Sequence, residues 1–391
     1  MTQHPSPAYS HAHPIVLVAG GTGGHVFPAE ALAGELRSRG YTLALFTDRR
    51  GEAFGGELGT LTTHQIRAGR VSSGGVVNRA RGLIDLALGG MQSRRLLAAL
   101  KPAAVIGFGG YPSVPPMLAA STLGIATVIH EQNALLGRAN RFLAPRVRAI
   151  ATAFANVGGM KPEERAKAVM TGNPVRAPVR ALRDLPYPAL SNESPIHLLI
   201  TGGSQGATVF SDVVPAALNK LSESLRRRLR VSQQCRAEDI ERARAAYANS
   251  DIAVELATFF SDIPQRLAQA HLVICRSGAS TTAELTTAGR PAILVPYPHA
   301  MDDHQTMNAK AIESAGGAIT IAQADFTADT LTARLKLLFA QPPTLARMAS
   351  HARDYGTADA AANLADLVIR LLPAQNGNGD GDGNSRREEA A

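Results

Sequence analysis

Short apolar runs recur along the chain, each closed by glycine or a polar turn and followed by a longer stretch in which apolar positions return every three or four residues. In the first half the runs fall at 15–19, 42–46, 103–107, 127–129 and 149–151, and the helical stretches between them include 30–38, 80–100 and 115–121. The alternation resumes with runs at 196–201, 253–257, 272–275, 292–296 and 318–321. Runs this short and continuously apolar read as strands buried on both faces, and strands alternating with amphipathic helices predict parallel sheets in an α/β fold. Between the two series lies a proline-rich passage with Pro174, Pro178, Pro186, Pro188 and Pro195. The pattern therefore predicts a flexible start at 1–13, one α/β domain over 14–172, a linker over 173–195 and a second such domain over 196–373. Residues 374–391 are too polar and glycine-rich to pack and are expected to form a disordered tail.

Composition agrees with two globular domains. The 391 residues exceed a comfortable single core, and 45% hydrophobic with 5% aromatic content is ordinary for α/β proteins. No stretch reaches membrane-spanning length without charge, and the first 13 residues lack an apolar signal core, so the chain is expected to stay in the cytosol. Cys235 and Cys275 show no metal or redox spacing, and Cys275 within an apolar run reads as a buried, inert thiol.

The formal charge of +8 is unevenly distributed. Residues 1–175 hold 18 Lys and Arg against 9 Asp and Glu, whereas the remainder holds 22 against 23. In the basic half Arg67, Arg70, Arg79, Arg81, Arg94, Arg95 and Lys101 surround Val76, Val77, Leu83, Ile84, Leu86, Leu88 and Met91. Such a mixture suits an anionic membrane surface, and equally an amphipathic helix with solvated arginines. Nucleic acid ranks last as a partner, because no recognition helix, RNP motif or zinc spacing accompanies the charge.

The candidate chemistry sits where strands end. Gly20, Gly21, Gly23 and Gly24 follow the first apolar run and open a helix, a geometry in which backbone N–H groups can close on a diphosphate at the positive helix end. The second half repeats it, with Gly202, Gly203, Ser204, Gln205 and Gly206 after the 196–201 run. Two such openings argue for two nucleotide-type domains facing one cleft. A nicotinamide or flavin enzyme is the competing reading, with Asp48 as the ribose ligand, but the glycine spacing matches G-x-G-x-x-G poorly.

Six motifs then converge. Gly20-Gly21-Thr22-Gly23-Gly24-His25-Val26-Phe27-Pro28, Gly107-Phe108-Gly109-Gly110-Tyr111-Pro112-Ser113, His130-Glu131-Gln132-Asn133, Gly172-Asn173-Pro174-Val175-Arg176, Gly202-Gly203-Ser204-Gln205-Gly206 and Cys275-Arg276-Ser277-Gly278-Ala279 closely resemble the MurG family over roughly residues 14–370. The resemblance implies a GT-B architecture, two Rossmann-like domains whose parallel sheets face an interdomain cleft, with no required metal or other cofactor. It implies transfer of N-acetylglucosamine from UDP-GlcNAc to undecaprenyl-diphospho-N-acetylmuramoyl-pentapeptide (lipid I), giving lipid II for peptidoglycan. The expected location is the cytoplasmic face of the inner membrane as a peripheral protein, with other cell-wall synthesis or division proteins as further partners and roles in cell shape and division.

Site residues follow from the same resemblance. Ala279, Ser280, Thr281, Thr282, Ala283 and Glu284 resemble the nucleotide loop, with Glu284 on the ribose diol, since a carboxylate accepts two hydroxyl hydrogen bonds. Arg176 is expected on the diphosphate and Ser204 as a donor contact from its loop, Thr22, Gly23, Gly24 and Asn133 also on the donor, and the backbone of Phe260 on the uracil. Gln305 and Asn308 are expected on the donor sugar, although one extra residue separates Pro296 from Gln305 relative to the commonest family spacing. Gly20, Gly21 and Tyr111 are expected to meet the acceptor. An inverting displacement needs a base opposite the departing UDP: His25 is the first candidate, with acceptor-diphosphate binding as its alternative role, and Glu131 the second. His299, Asp302, Asp303 and His304 could suggest a metal cluster, but no zinc-enzyme spacing supports it.

Overall fold

The computed structural model describes residues 13–20, 23–48, 56–69, 76–203 and 206–373, the side chains of 76–81 and 83 excepted. Residues 1–12 of the expected flexible start and the expected disordered tail, together with Gly21, Thr22, Ser204, Gln205 and Arg70, lie outside the described residues, as do the side chains of Val76, Val77, Arg79, Arg81 and Leu83.

Seven strands form the first sheet: β1 (Ile15–Val18), β2 (Leu43–Thr47), β3 (Thr62–Gln65), β4 (Ala104–Gly107), β5 (Ala126–Glu131), β6 (Ala149–Thr152) and β7 (Ala168–Met170). Their order is β3-β2-β1-β4-β5-β6-β7, and every pairing is parallel. The second sheet contains β8 (Ile196–Thr201), β9 (Leu229–Gln234), β10 (Ala253–Ala257), β11 (Leu272–Cys275), β12 (Ala292–Leu294) and β13 (Ala318–Thr320), in the parallel order β10-β9-β8-β11-β12-β13. Both orders reverse direction beside their first strand, the point at which doubly wound sheets open a crevice at the carboxyl ends of their strands. The apolar pattern predicts the central strands because β1, β2, β4, β5, β6 and β11 are buried at every position. It misses β3, an edge strand of mostly exposed polar residues, β7, a three-residue edge strand with no fully buried position, and β9, in which Arg230 is exposed and polar Gln233 and Gln234 are buried.

Helices cover both faces of each sheet. On the first, Leu32 and Leu36 of the helix Gly23–Ser38 pack under Ile15, Leu17 and Ile106, while Leu97 of the helix Val76–Leu100 and Met117 of the helix Val114–Thr122 fill the opposite face. The second domain, expected to run to 373, gives up its last helix. Ala360–Arg370 crosses back and buries Leu364, Ala365, Leu367 and Val368 in the core of the first domain. Its apolar stripe is the cause, since burying Leu364 and Val368 contributes roughly 1.5–3 kcal/mol each. Arg39 fastens the docked helix through Asp366 at 2.5 Å. Gly172 lies where the two crossing segments touch: its φ is +82°, and a Cβ there would fall 2.5 Å from Cβ of Thr357, so only glycine fits.

Among the described residues no helix is long and apolar enough to cross a membrane. On the helix Val76–Leu100, Ile84 and Met91 are exposed, and Arg67, Arg94, Arg95 and Lys101 are exposed nearby in the chain. Cys235 and Cys275 are both buried and reduced, and burial pushes the Cys275 thiol up to about 12.

Candidate active site between the two domains

Every motif singled out in the sequence falls at or just beyond the carboxyl end of a parallel strand. Gly20 and His25 follow β1, Gly109 to Ser113 follow β4, His130 and Glu131 end β5, and Asn173 and Arg176 follow β7. In the second domain Gly202, Gly203 and Gly206 follow β8, Phe260 follows β10, Ala279 to Glu284 follow β11 and Gln305 follows β12. The two sets of ends meet. Asn308 Oδ1 accepts from the Ala134 amide at 2.8 Å, Asn173 Nδ2 donates to the Ala279 carbonyl at 3.2 Å, and Arg138 Nη2 donates to Asp302 Oδ1 at 2.8 Å.

The donor half is built on the helix Ala279–Ala288, whose N-cap is Gly278. Its first-turn N–H groups lack intrahelical partners, a ready anion site. Ser280 Oγ is buried and finds no partner among the described residues. Thr282 differs from expectation: its hydroxyl donates back to the Gly278 and Ala279 carbonyls and is buried in the helix, so it caps the turn. Glu284 lies one turn further on, and Oε1 accepts from Arg176 Nε at 3.2 Å and Nη2 at 2.9 Å. Burial raises the Glu284 pKa, and the Arg176 guanidinium opposes that shift. Arg176 also lies over the Phe27 ring at 4.7 Å, so one side chain links the donor helix to the first domain two residues from His25. Phe260 is buried with Arg266 stacked 3.9 Å from its ring centroid, which makes its side chain part of the packed interior.

Asn133 and Asn308, expected on the sugar, hold each other. Asn308 is fully buried, and its Nδ2 donates to Asn133 Oδ1 at 3.1 Å and to the Ser277 carbonyl at 3.0 Å. With Oδ1 on Ala134, the whole amide is engaged and joins the domains; a sugar contact would have to replace one of these bonds. Gln305 Oε1 accepts from the Tyr297 amide at 2.9 Å, and its amide nitrogen has no partner among the described residues. Asp302 and Asp303 are consecutive left-handed residues, φ +52° and +53°, ahead of the helix His304–Ser314. Asp302 pairs with Arg138, Asp303 accepts from Thr306, and His304 Nδ1 meets the Met301 carbonyl, three separate partners. Among the described residues no group of three or more His, Cys, Asp or Glu is placed to hold a metal ion.

The acceptor half contains His25 in the first turn of the helix Gly23–Ser38, half-buried, with Nδ1 3.3 Å from Gln132 Oε1. Burial lowers its pKa, while the nearby Glu131 carboxylate pulls upward. The imidazole is therefore neutral at pH 7, as a base requires. Gly109, φ +90°, turns against this ring: a Cβ there would sit 3.3 Å from His25 Cε1. Tyr111 opens the short turn Tyr111–Ser113 beside it and is half-buried.

Glu131 fails as a second base. It is buried, Oε1 accepts from the backbone N (3.0 Å) and Nδ2 (3.3 Å) of Asn133, and Oε2 accepts from Gly137 N and Asn140 Nδ2, both at 2.9 Å. With four donors in place the carboxylate clamps the 133–140 loop. The sequence signals neither that clamp nor the Arg138–Asp302 pair, because both depend on residues that only the loop's path brings together. Asp48, the ribose ligand of the competing reading, lies beside Gly20, where a Cβ would meet its Oδ1 at 3.2 Å.

Comparison with known proteins agrees with this geometry. The glycosyltransferase family 28 N-terminal domain model matches residues 15–152 and the C-terminal domain model residues 197–366. The UDP-N-acetylglucosamine--N-acetylmuramyl-(pentapeptide) pyrophosphoryl-undecaprenol N-acetylglucosamine transferase of Paramagnetospirillum magneticum is 58% identical over 93% of this chain and 98% of its own. That of Rhodospirillum centenum is 54% identical over 96% and 99%. The crystal structure of Acinetobacter baumannii MurG superposes with a TM-score of 0.73 at 30% identity, covering 91% of this chain and 99% of that one. The glycosyltransferase of kitacinnamycin shares the fold alone, at 16% identity and a TM-score of 0.67. On these grounds the chain belongs to the MurG family of glycosyltransferase family 28 enzymes.

Proposed function

We propose that this enzyme moves N-acetylglucosamine from UDP-GlcNAc to the muramoyl hydroxyl of undecaprenyl-linked lipid I, with inversion, to form lipid II. The observation that carries the site assignment is Arg176, bonded to Glu284 at 2.9 Å and stacked on Phe27, because it puts the donor helix next to His25. The donor diphosphate lies against the first turn at Ala279, Ser280 and Thr281, with Arg176 supplying a charged fork and Glu284 taking the ribose diol. Because Arg176 and Glu284 pair with each other, nucleotide binding exchanges part of that bond for bonds to phosphate and ribose. Gln305, with a donating amide nitrogen, meets the sugar.

The acceptor hydroxyl attacks the anomeric carbon as the bond to the diphosphate oxygen breaks; UDP leaves with the electron pair and the hydroxyl proton passes to Nε2 of His25. A positioned base contributes roughly 10² to 10⁴ in rate. The acceptor's lipid requires the protein at a membrane surface, and we assign that contact to the exposed Ile84 and Met91 with the arginines around them, at the cytoplasmic face, where other cell-wall synthesis and division proteins would meet it.

A panel of radiolabelled UDP-sugars incubated with a short-chain lipid I analogue tests donor, acceptor and catalysis together. Transfer from UDP-GlcNAc is expected, reduced at least 10²-fold in turnover by His25→Ala with donor affinity changed only a few-fold. Unchanged turnover in that variant removes His25 from the mechanism.

A further inference from the structure

Gln132 stands in the middle of a hydrogen-bond chain that begins on backbone and ends on the imidazole of His25. His130 is fully buried, and its Nε2 lies 3.0 Å from the Gly172 carbonyl, which can only accept, so Nε2 carries the hydrogen. Nδ1 of the same neutral ring is then an acceptor, and it lies 3.0 Å from one terminal atom of the Gln132 amide. That atom also faces the Phe108 carbonyl at 2.9 Å and the His130 carbonyl at 3.1 Å. Three acceptors around one end of the amide identify it as the NH2 group and fix the orientation of the side chain. The other end is an oxygen, and it faces Nδ1 of His25 at 3.3 Å. An amide oxygen only accepts, so Nδ1 of His25 holds the ring hydrogen. Nε2 is left with its lone pair, and the Phe108 backbone carbonyl is a further acceptor facing the ring.

We infer that Gln132 is the positioning residue of the reaction: through the Gly172–His130–Gln132 chain it holds His25 in the Nδ1–H tautomer, so that Nε2 is the atom offered to the acceptor hydroxyl. The inference rests on the reading of His25 as base and adds to it the control of which nitrogen acts. During transfer Nε2 takes the hydroxyl proton while Nδ1–H stays on Gln132, whose carbonyl dipole stabilises the imidazolium that forms. The Gly172–His130 and His130–Gln132 links are buried, which strengthens each bond, and the Gln132–His25 link is part-buried. Gln132 is 1% exposed and borders no solvent that could exchange for it.

The test uses the full chain labelled with ¹⁵N in its histidine rings, His25 being assigned from the signal lost in His25→Gln. The wild type is expected to show His25 as Nδ1–H. In Gln132→Leu the ring should move to Nε2–H or a mixture, with kcat lowered roughly 10²-fold or more and KM for UDP-GlcNAc within a few-fold. Gln132→Glu keeps the oxygen facing His25 Nδ1, while its second oxygen, set among the Phe108 and His130 carbonyls and His130 Nδ1, must carry a proton to donate there. The Nδ1–H tautomer and most of kcat should therefore persist in this variant. An unaltered Nδ1–H tautomer in Gln132→Leu, or a loss confined to KM, overturns the inference. The tautomer readout is independent of catalysis: if His25→Gln kept full turnover the base reading would fail, and the ring signal would still decide whether Gln132 sets the tautomer.

Discussion

Replacing Glu131 with alanine separates a clamp from a base. The carboxylate accepts four bonds of 2.9–3.3 Å, two from the backbone amides of Asn133 and Gly137 and two from the side chains of Asn133 and Asn140. The side-chain donors can turn away, but the two amides are fixed by the loop, and a buried donor left unsatisfied costs about 1–3 kcal/mol. Glu131→Ala is therefore expected to lose about 4 kcal/mol, and at roughly 3 °C per kcal/mol for a domain of this size its melting temperature should fall by roughly 10 °C. Turnover should fall with it, because Asn133 and Arg138 ride on the released loop. Added formate, which can stand in for a missing carboxylate base, should restore nothing. Glu131→Gln should fall between the two, since it keeps one acceptor oxygen and points an NH2 group at two donors. Thermal unfolding and a formate titration of the transfer assay read both effects. A wild-type melting temperature together with formate-restored turnover would refute the clamp and return Glu131 to proton transfer.

The remaining expectations are briefer. Burial holds His130 down at about 4, below its unfolded value, so the unfolded chain takes up the proton first. Stability is complete above about pH 6.5 and declines as pH falls towards 4, by about 3 kcal/mol from this residue. Denaturant midpoints across that window should show the slope, and His130→Gln should flatten it. Asn308→Ala deletes bonds to Ala134 and Asn133 across the domain boundary and one to Ser277 within the second domain; faster hydrogen exchange at the Ala134 amide and a loss of about 2–4 kcal/mol are expected, and unchanged exchange would mean that the domains are joined elsewhere. Binding to vesicles should require anionic lipid, weaken with salt and drop in Met91→Asp; salt-insensitive binding would reduce the patch to ordinary surface.

Legibility in the sequence followed burial. Strands apolar at every position, such as β1, β4 and β11, announce themselves because both faces meet helices, whereas β3 and β9 carry polar residues that only their neighbours explain. The motifs were legible as local chemistry, but their partners were not. Thr282 could be read as a ligand hydroxyl because its donation to the Gly278 carbonyl four residues back is set only when the helix and its rotamer are in place, and Asn133 and Asn308 could be read as sugar contacts because 175 positions separate residues that touch.

By itself the chain determined the parallel α/β class, the two glycine-opened domains and the family, because each rests on patterns within a few neighbouring residues: hydrophobic period, strand-to-helix turns, short motifs. Tertiary structure alone decided that the helix Ala360–Arg370 belongs to the first domain's core, that Glu131 clamps a loop, and that Gln132 faces His25. Those outcomes depend on which donors and acceptors remain unpaired once the backbone has closed, and hydrogen bonding over a few ångströms has no signature along the sequence.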